Sequence, residues 1–312
     1  MRSDKHKKNR KKRKWTKVVG IILLLFILGG GAYTYSIYHS LNKAVETIHS
    51  PIDRDMSSKR TKEIEFNNKQ PFSVLLLGVD ERKNDSGRSD TMIVLTVNPS
   101  EKSVKMISIP RDTLTTIVGK GTEDKINHAY AFGGVEMSMD TVENLLDIPI
   151  DYYVKINMEG FQDIVDAVGD VTVQNDLDFS YGGFDFPEGE LTLNGDEALA
   201  FSRMRYEDPR GDFGRQLRQR EVIQAVIQKG ASVSSLWKFD DIFDALGSNI
   251  KTNLTFEEMV DIQKHYKDAS KDIQQIQIKD GHGEKIDGIY YYLIPDEELN
   301  SIQTTLQKHL DI

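Results

Sequence analysis

The 312-residue chain has no cysteine, which excludes disulfides, thiolate metal sites and a cysteine nucleophile, and leaves its compartment open. Histidine is sparse, and His128, His265 and His282 are too scattered for a zinc motif. Nucleotide fingerprints are also missing: Gly119-Lys-Gly-Thr122 lacks P-loop spacing and no dinucleotide-binding glycine pattern occurs. There is no internal repeat, and no low-complexity tract beyond a basic head.

Positive charge is scarce once that head is passed. Residues 1–17 carry ten Lys or Arg against the single acid Asp4, and the remainder has 30 basic and 48 acidic residues. An acidic body repels nucleic acid, so any phosphate site has to be a local basic cluster. Hydrophobic residues make up 38% of the chain, enough to build a core and to argue against wholesale disorder.

Formal charge is absent altogether from Val18 to Asn42. The run VVGIILLLFIL from Val18 to Leu28 continues through Gly29–Ala32 to Tyr33, Tyr35 and Tyr38, long enough for the roughly 20 residues of a membrane helix with an aromatic belt. Basic residues precede it, so the positive-inside rule predicts a single-pass type II protein of the cell membrane with an extracellular body. A cleaved signal peptide ending near Gly30 and Ala32 is the competing reading. The expected organisation is a cytoplasmic head (1–17), an anchor (18–38), a stalk (39–70), a catalytic domain (71–230) and a C-terminal part (231–312) packed on or continuing it.

Short apolar runs at Phe72–Val79, Met92–Val97, Val104–Ile109 and Tyr152–Ile156 read as strands of a covered sheet. Helical spacing recurs over Asn127–Asp147, divided at Gly133 and Gly134, and again at 161–168, 195–201, after Asp212, at 236–246, 256–266 and after Pro295. Phe179–Leu193 reads as a hairpin or loop, and Tyr290–Ile294 as a strand. The fold class is α/β, a mixed central sheet flanked by helices.

Chemistry concentrates in arginine. Arg203, Arg205, Arg210, Arg215, Arg218 and Arg220 fall within 18 residues without one lysine, and guanidinium groups grip phosphate bidentately at a lower desolvation cost than ammonium. A solvated helix face is the plain alternative. On a helix beginning near Asp212, Arg215, Arg218 and Gln219 fall together while Arg220 points elsewhere, to structure or surface; like charges so placed call for an anion between them. Two loops at strand ends add Asp80, Arg88 and Asp90, and Arg111 with Asp112. Taken singly, each acid also suits a turn or cap, and Asp212 suits an N-cap.

LLLGVD, GRSDTMIV, SIPRDT, KINHAYAFGG, LNGDEALAFSRMR and GDFGRQLRQREVI, in this order between Phe72 and Lys229, resemble the LytR-CpsA-Psr family. The resemblance implies transfer of an anionic glycopolymer such as wall teichoic acid from an undecaprenyl-pyrophosphate carrier to the C6 hydroxyl of peptidoglycan N-acetylmuramic acid. Undecaprenyl phosphate leaves, and no ATP is used. It implies Asp80 and Asp90 as carboxylates for Mg2+ (or Mn2+), and Arg88, Arg111, Arg203, Arg205, Arg215, Arg218 and Gln219 as pyrophosphate ligands. Arg111, Asp212 and Arg215 would be catalytic, Asp212 orienting an arginine or helping to deprotonate the acceptor. An apolar pocket for the isoprenoid tail is implied as well; Leu75, Ile93, Val142, Leu145 and Val165 are candidates for it, with ordinary core packing as the competing role. A lipid-pyrophosphate glycan pyrophosphatase and a non-catalytic membrane regulator binding wall precursors are the competing functions.

Overall fold

The computed structural model describes residues 45–54, 56–80, 87–232 and 247–312, together with His39. The expected membrane segment, the whole of the expected 236–246 helix and residues 81–86 lie outside the described residues. Among those described, no helix is long and apolar enough to cross a membrane.

The apolar run Phe72–Val79 forms β1, central in the sheet and therefore covered on both faces. β2 (Ser89–Asn98) pairs with it antiparallel, in register Leu75↔Val94, and β3 (Ser103–Ser108) pairs antiparallel with β2. A small antiparallel pair follows, β4 (Leu114–Ile117) and β5 (Thr122–Lys125). Helix α1 (His128–Leu146) bends at Gly133 and Gly134. Gly134 takes φ 65° and ψ −147°, a conformation open in practice only to glycine.

β6 (Tyr152–Ile156) runs parallel to β1, and α2 (Met158–Val168) then leads to a small lobe. There β7 (Val171–Asn175) pairs with β10 (Gly189–Leu193), and β8 (Phe179–Tyr181) with β9 (Phe184–Phe186), so the expected hairpin is present. A capping box of Asn194 and Glu197 starts α3 (Gly195–Arg203), and α4 (Asp212–Ser232) follows.

The C-terminal part completes the same sheet. β11 (Ile250–Thr252) closes one edge on β6, and β12 (Ile273–Ile276) closes the other, parallel to β3, giving the order β11-β6-β1-β2-β3-β12. Between them lies α5 (Phe256–His265). The expected strand at 290–294 is β14 (Ile289–Leu293), the second arm of a hairpin with β13 (His282–Ile286). Helix α6 (Asp296–His309) ends the fold.

Helices cover both faces. Leu75, Leu77, Val94 and Ile107 pack with α1 and with Ile302 and Leu306 of α6. On the other face Val74, Ile93, Leu95 and Met106 meet Ile223 and Ile227 of α4 and Met259 and Ile262 of α5. A third cluster fills the lobe among α2, α3, α4 and β7–β10.

The folded body starts earlier than the expected boundary at Pro71. Arg54 binds Glu143 and Asp140, Arg60 binds both carboxylate oxygens of Asp151 at 2.7–2.8 Å, and Phe66 packs against Phe72, Tyr152 and Tyr266. The segment expected as a stalk thus supplies counter-ions to acids on α1 and before β6, and its one phenylalanine, Phe66, supplies core.

Candidate active site

Because β2 runs antiparallel to its two neighbours, the C-terminal ends of β1 and β3 and the N-terminal end of β2 meet at one end of the sheet. Asp80 follows β1 directly, and Asp90 lies opposite, where a register shift at Gly78/Val79 pairs Val79 with Ser89. Arg111 follows β3 in a turn, with Nη1 donating to Asp90 Oδ1 at 2.7 Å. Asp112 accepts from Lys125 of β5 at 2.8 Å.

The start of α4 faces this end. Arg215 Nη2 lies 2.6 Å from Asp212 Oδ1, Arg205 Nε lies 3.7 Å from the same oxygen, and Gln216 donates to Asp212 Oδ2 at 3.0 Å. Asp212 is the first residue of α4, and its carboxylate engages these side chains, which favours a positioning role over the capping role that spacing suggests. Its charge at a helix N-terminus remains favourable.

The two arginines feel one another and the acids between them. Burial works against charge on Arg111, but its hydrogen bond to Asp90 and the charges of Asp90, Asp112 and Asp212 outweigh it and raise its pKa. Burial lowers that of Arg215, with Arg111 and Arg205 pulling the same way against Asp212 and Asp90. Both remain cations at neutral pH. Arg215 Nε is buried without a hydrogen-bond partner. An unpaired donor there is costly in the free protein, and a phosphate oxygen would satisfy it.

The other arginines divide. Arg88 and Arg203 are exposed, on the loop leading into β2 and at the end of α3, and Gln219 is half-buried one turn beyond Arg215. Arg218 is removed from the expected phosphate set: it is 1% exposed, and it donates to Asp208 at 2.6 Å and to the carbonyls of Phe201 and Met204. Helical spacing placed it beside Arg215, but its long side chain turns into the seam with α3, beside the stacked rings of Phe179 and Phe201. Arg210 grips Asp208 and Asp176. Arg220 donates to Ser108 and Gln275, a structural placement. The five lipid-pocket candidates fall into three separate core clusters, Leu75, Val142 and Leu145 in one, Ile93 in a second and Val165 in a third.

A family model described as the LytR_cpsA_psr family matches residues 35–308. The chain belongs to this family. A relative from Bacillus cereus, named polyisoprenyl-teichoic acid--peptidoglycan teichoic acid transferase TagU, is 55% identical over 296 residues, covering 95% of this chain and 97% of the relative. The crystal structure of B. subtilis TagU matches with TM-score 0.64 at 55% identity, covering 78% of this chain and 97% of that one. That of TagT bound to LIIa-WTA matches with TM-score 0.73 at 35% identity, covering 85% and 100%.

Within this family member, two site residues escaped sequence reading. Lys125 lies in the KINHAYAFGG segment, and its closeness to Asp112 depends on β5 folding back on β4. Asp208 looks like a loop acid in RYEDPRGD, yet its side chain is fully buried. The available signal was Gly214: a Cβ there would stand 1.9 Å from Asp208 Oδ2.

Proposed function

We propose that this chain transfers an anionic glycopolymer of the wall teichoic acid class from an undecaprenyl-pyrophosphate carrier to the C6 hydroxyl of N-acetylmuramic acid in peptidoglycan. The observation that carries the reading is the facing pair Arg111–Asp90 and Arg215–Asp212, with the unpaired Arg215 Nε between strand ends and helix start. The names of the relatives support the substrate class, and the bound ligand of the TagT structure supports a teichoic acid precursor.

The acceptor oxygen attacks the glycan-side phosphorus, a new P–O bond forms, and the bond to the bridging oxygen breaks. Undecaprenyl phosphate departs with that electron pair, and the hydroxyl proton passes to it or to water. Phosphoryl transfer needs little covalent help, so the gain comes from charge placed in advance. Arg111 and Arg215 supply that charge, with Arg205, Arg203, Arg88 and Gln219 further out along the polymer-side phosphate. Asp90 holds Arg111 in place, and Asp212 holds Arg215 and Arg205.

Asp80 and Asp90 fit a hard divalent cation in donor chemistry. Mg2+ takes one or two carboxylates and completes its shell with phosphate oxygens and water, and among the described residues no group of three metal-binding side chains exists to hold it alone. Mg2+ or Mn2+ would neutralise pyrophosphate charge there, so chelation should abolish turnover and either ion restore it.

The charge-free segment 18–38 would anchor the protein beside its lipid substrate, the basic head in the cytoplasm and the site outside. The deciding experiment incubates the full chain in lipid vesicles with Mg2+, a lipid-pyrophosphate glycan and peptidoglycan oligomers, and seeks a covalent glycan–peptidoglycan product by mass spectrometry. Free polymer as the sole product would establish a pyrophosphatase instead.

A further inference from the structure

The β13–β14 hairpin, from a region with no sequence motif, is built into the wall of this site. The backbone N–H of Tyr292 donates to the carbonyl of Asp112 at 2.8 Å, and Tyr292 bridges Thr113. Lys125, the partner of Asp112, lies 5.9 Å from the Tyr291 ring. On the other face, Tyr292 packs on Phe213, centroids 5.4 Å apart, and Phe213 is the neighbour of Asp212 in α4.

Residues two apart on a strand share a face, so Tyr290 continues the row Phe213–Tyr292. Two glycines make room for the rings: a Cβ on Gly281 would stand 2.2 Å from the Tyr292 hydroxyl, and one on Gly283 would stand 2.4 Å from Tyr290 Cε2. Tyr290 is thereby laid across the strand with its outer side open. Tyr292 itself is 4% exposed, while Phe213 is 44% exposed and Tyr290 45%, so two open aromatic rings flank a buried one beside a polar site. The result is a ledge leading outward from Asp212.

We infer that Phe213 and Tyr290, the two open rings of this ledge with Tyr292 as their buried backing, bind the glycan strand of the acceptor, stacking pyranose rings so that a muramic acid hydroxyl reaches the phosphorus; this rests on the transferase reading. Sugar rings present C–H faces to aromatic faces and hydroxyls to the polar rim, the division that the half-exposed Phe213 and Tyr290 suit. Charge selects the acceptor over the donor polymer. Residues 279–298 hold six acids, Asp280, Glu284, Asp287, Asp296, Glu297 and Glu298, against Lys279 and Lys285. Such a margin repels a chain of phosphates and tolerates a glycan whose lactyl carboxylates are taken up in amide bonds.

The test measures KM separately for donor and acceptor with the full chain in detergent micelles, using as acceptor an N-acetylglucosamine–N-acetylmuramic acid oligosaccharide whose lactyl carboxylates are capped as amides. Phe213→Ala and Tyr290→Ala should each raise acceptor KM about tenfold with donor KM unchanged, while Tyr290→Phe behaves as the parent, because the ring and not the hydroxyl is used. A rise in donor KM instead would assign the ledge to the polymer, and unchanged values for both would end the proposal. Binding is read independently of turnover in Tyr290→Trp, whose fluorescence should shift saturably with the same oligosaccharide and no donor present. Absence of that shift would also overturn the ledge. A parent protein that binds the oligosaccharide but transfers nothing would refute the transferase reading alone.

Discussion

At the scale of single residues, the arginine cluster resolves into two devices of opposite purpose. Arg111 and Arg215 keep their charge at a place open to substrate, each steadied by one aspartate. Truncating either to alanine should lower kcat by about 100-fold or more, the loss seen when a preorganised donor is removed from a transition state, with the far-UV spectrum unchanged. Arg218 and Arg210 instead close on Asp208; burial alone would raise that carboxyl, but their hydrogen bonds hold it well below the usual carboxylate range. Asp208→Ala leaves Arg218 buried and unpaired, and should cost about 3–5 kcal/mol in urea unfolding. Gly214→Ala forces the same carboxylate away and should approach that loss. Sequence alone could rank these arginines only by spacing on a helix, which fixes where a Cα lies but not where the long side chain beyond it turns. Arg215 was legible because Asp212 is its neighbour in the chain; Arg218 was not, because its partner Asp208 and the Phe201 carbonyl come from the turn before α4 and from α3.

At the scale of elements, the central strands were readable because continuous apolar runs are needed where both sheet faces are covered. β12, with the sequence Ile-Gln-Gln-Ile, and β13, exposed throughout, carry no such signal; both are strands because a neighbour offers an edge. Helix α6 shows what holds the last element. Leu306 lies in the core, and the buried His309 sits between Thr96 Oγ1, 2.7 Å from Nδ1, and Ser103 Oγ, 3.0 Å from Nε2. Burial, assisted by Lys105 and opposed by Asp311, pushes its pKa from 6.5 down to about 4, and Glu101 stands 3.8 Å away. The unfolded chain therefore binds a proton between these values that the folded one refuses. The contribution of a neutral His309 is complete above about pH 6.5, fades as pH falls towards 4, and changes no further below that, where both states are protonated. Urea midpoints measured across this window should fall with pH, and His309→Gln should flatten the slope.

At the scale of the whole molecule, charge is segregated: a basic head, an acidic body and a cationic site embedded in that acidic surface. Pyrophosphate recognition in such a field should weaken with added salt less steeply than binding to an open basic patch, since partly buried pairs are screened little. Donor KM measured between low and physiological ionic strength checks this. The body also reaches further towards the head than a boundary at Pro71 suggests, since Arg54 and Arg60 fasten residues 45–70 to α1 and the sheet. Under the proposed topology, with an anchor at 18–38, six residues, 39–44, would separate membrane from body, a span of at most roughly 20 Å when fully extended, where a stalk to residue 70 would allow roughly 100 Å. The tether would then set a ceiling: wall strands farther from the membrane than the tether and the body together reach would be out of range however mobile the lipid substrate is. The protein's products should be confined to the innermost peptidoglycan, and lengthening the chain between residues 44 and 45 should raise the layer in which polymer is attached.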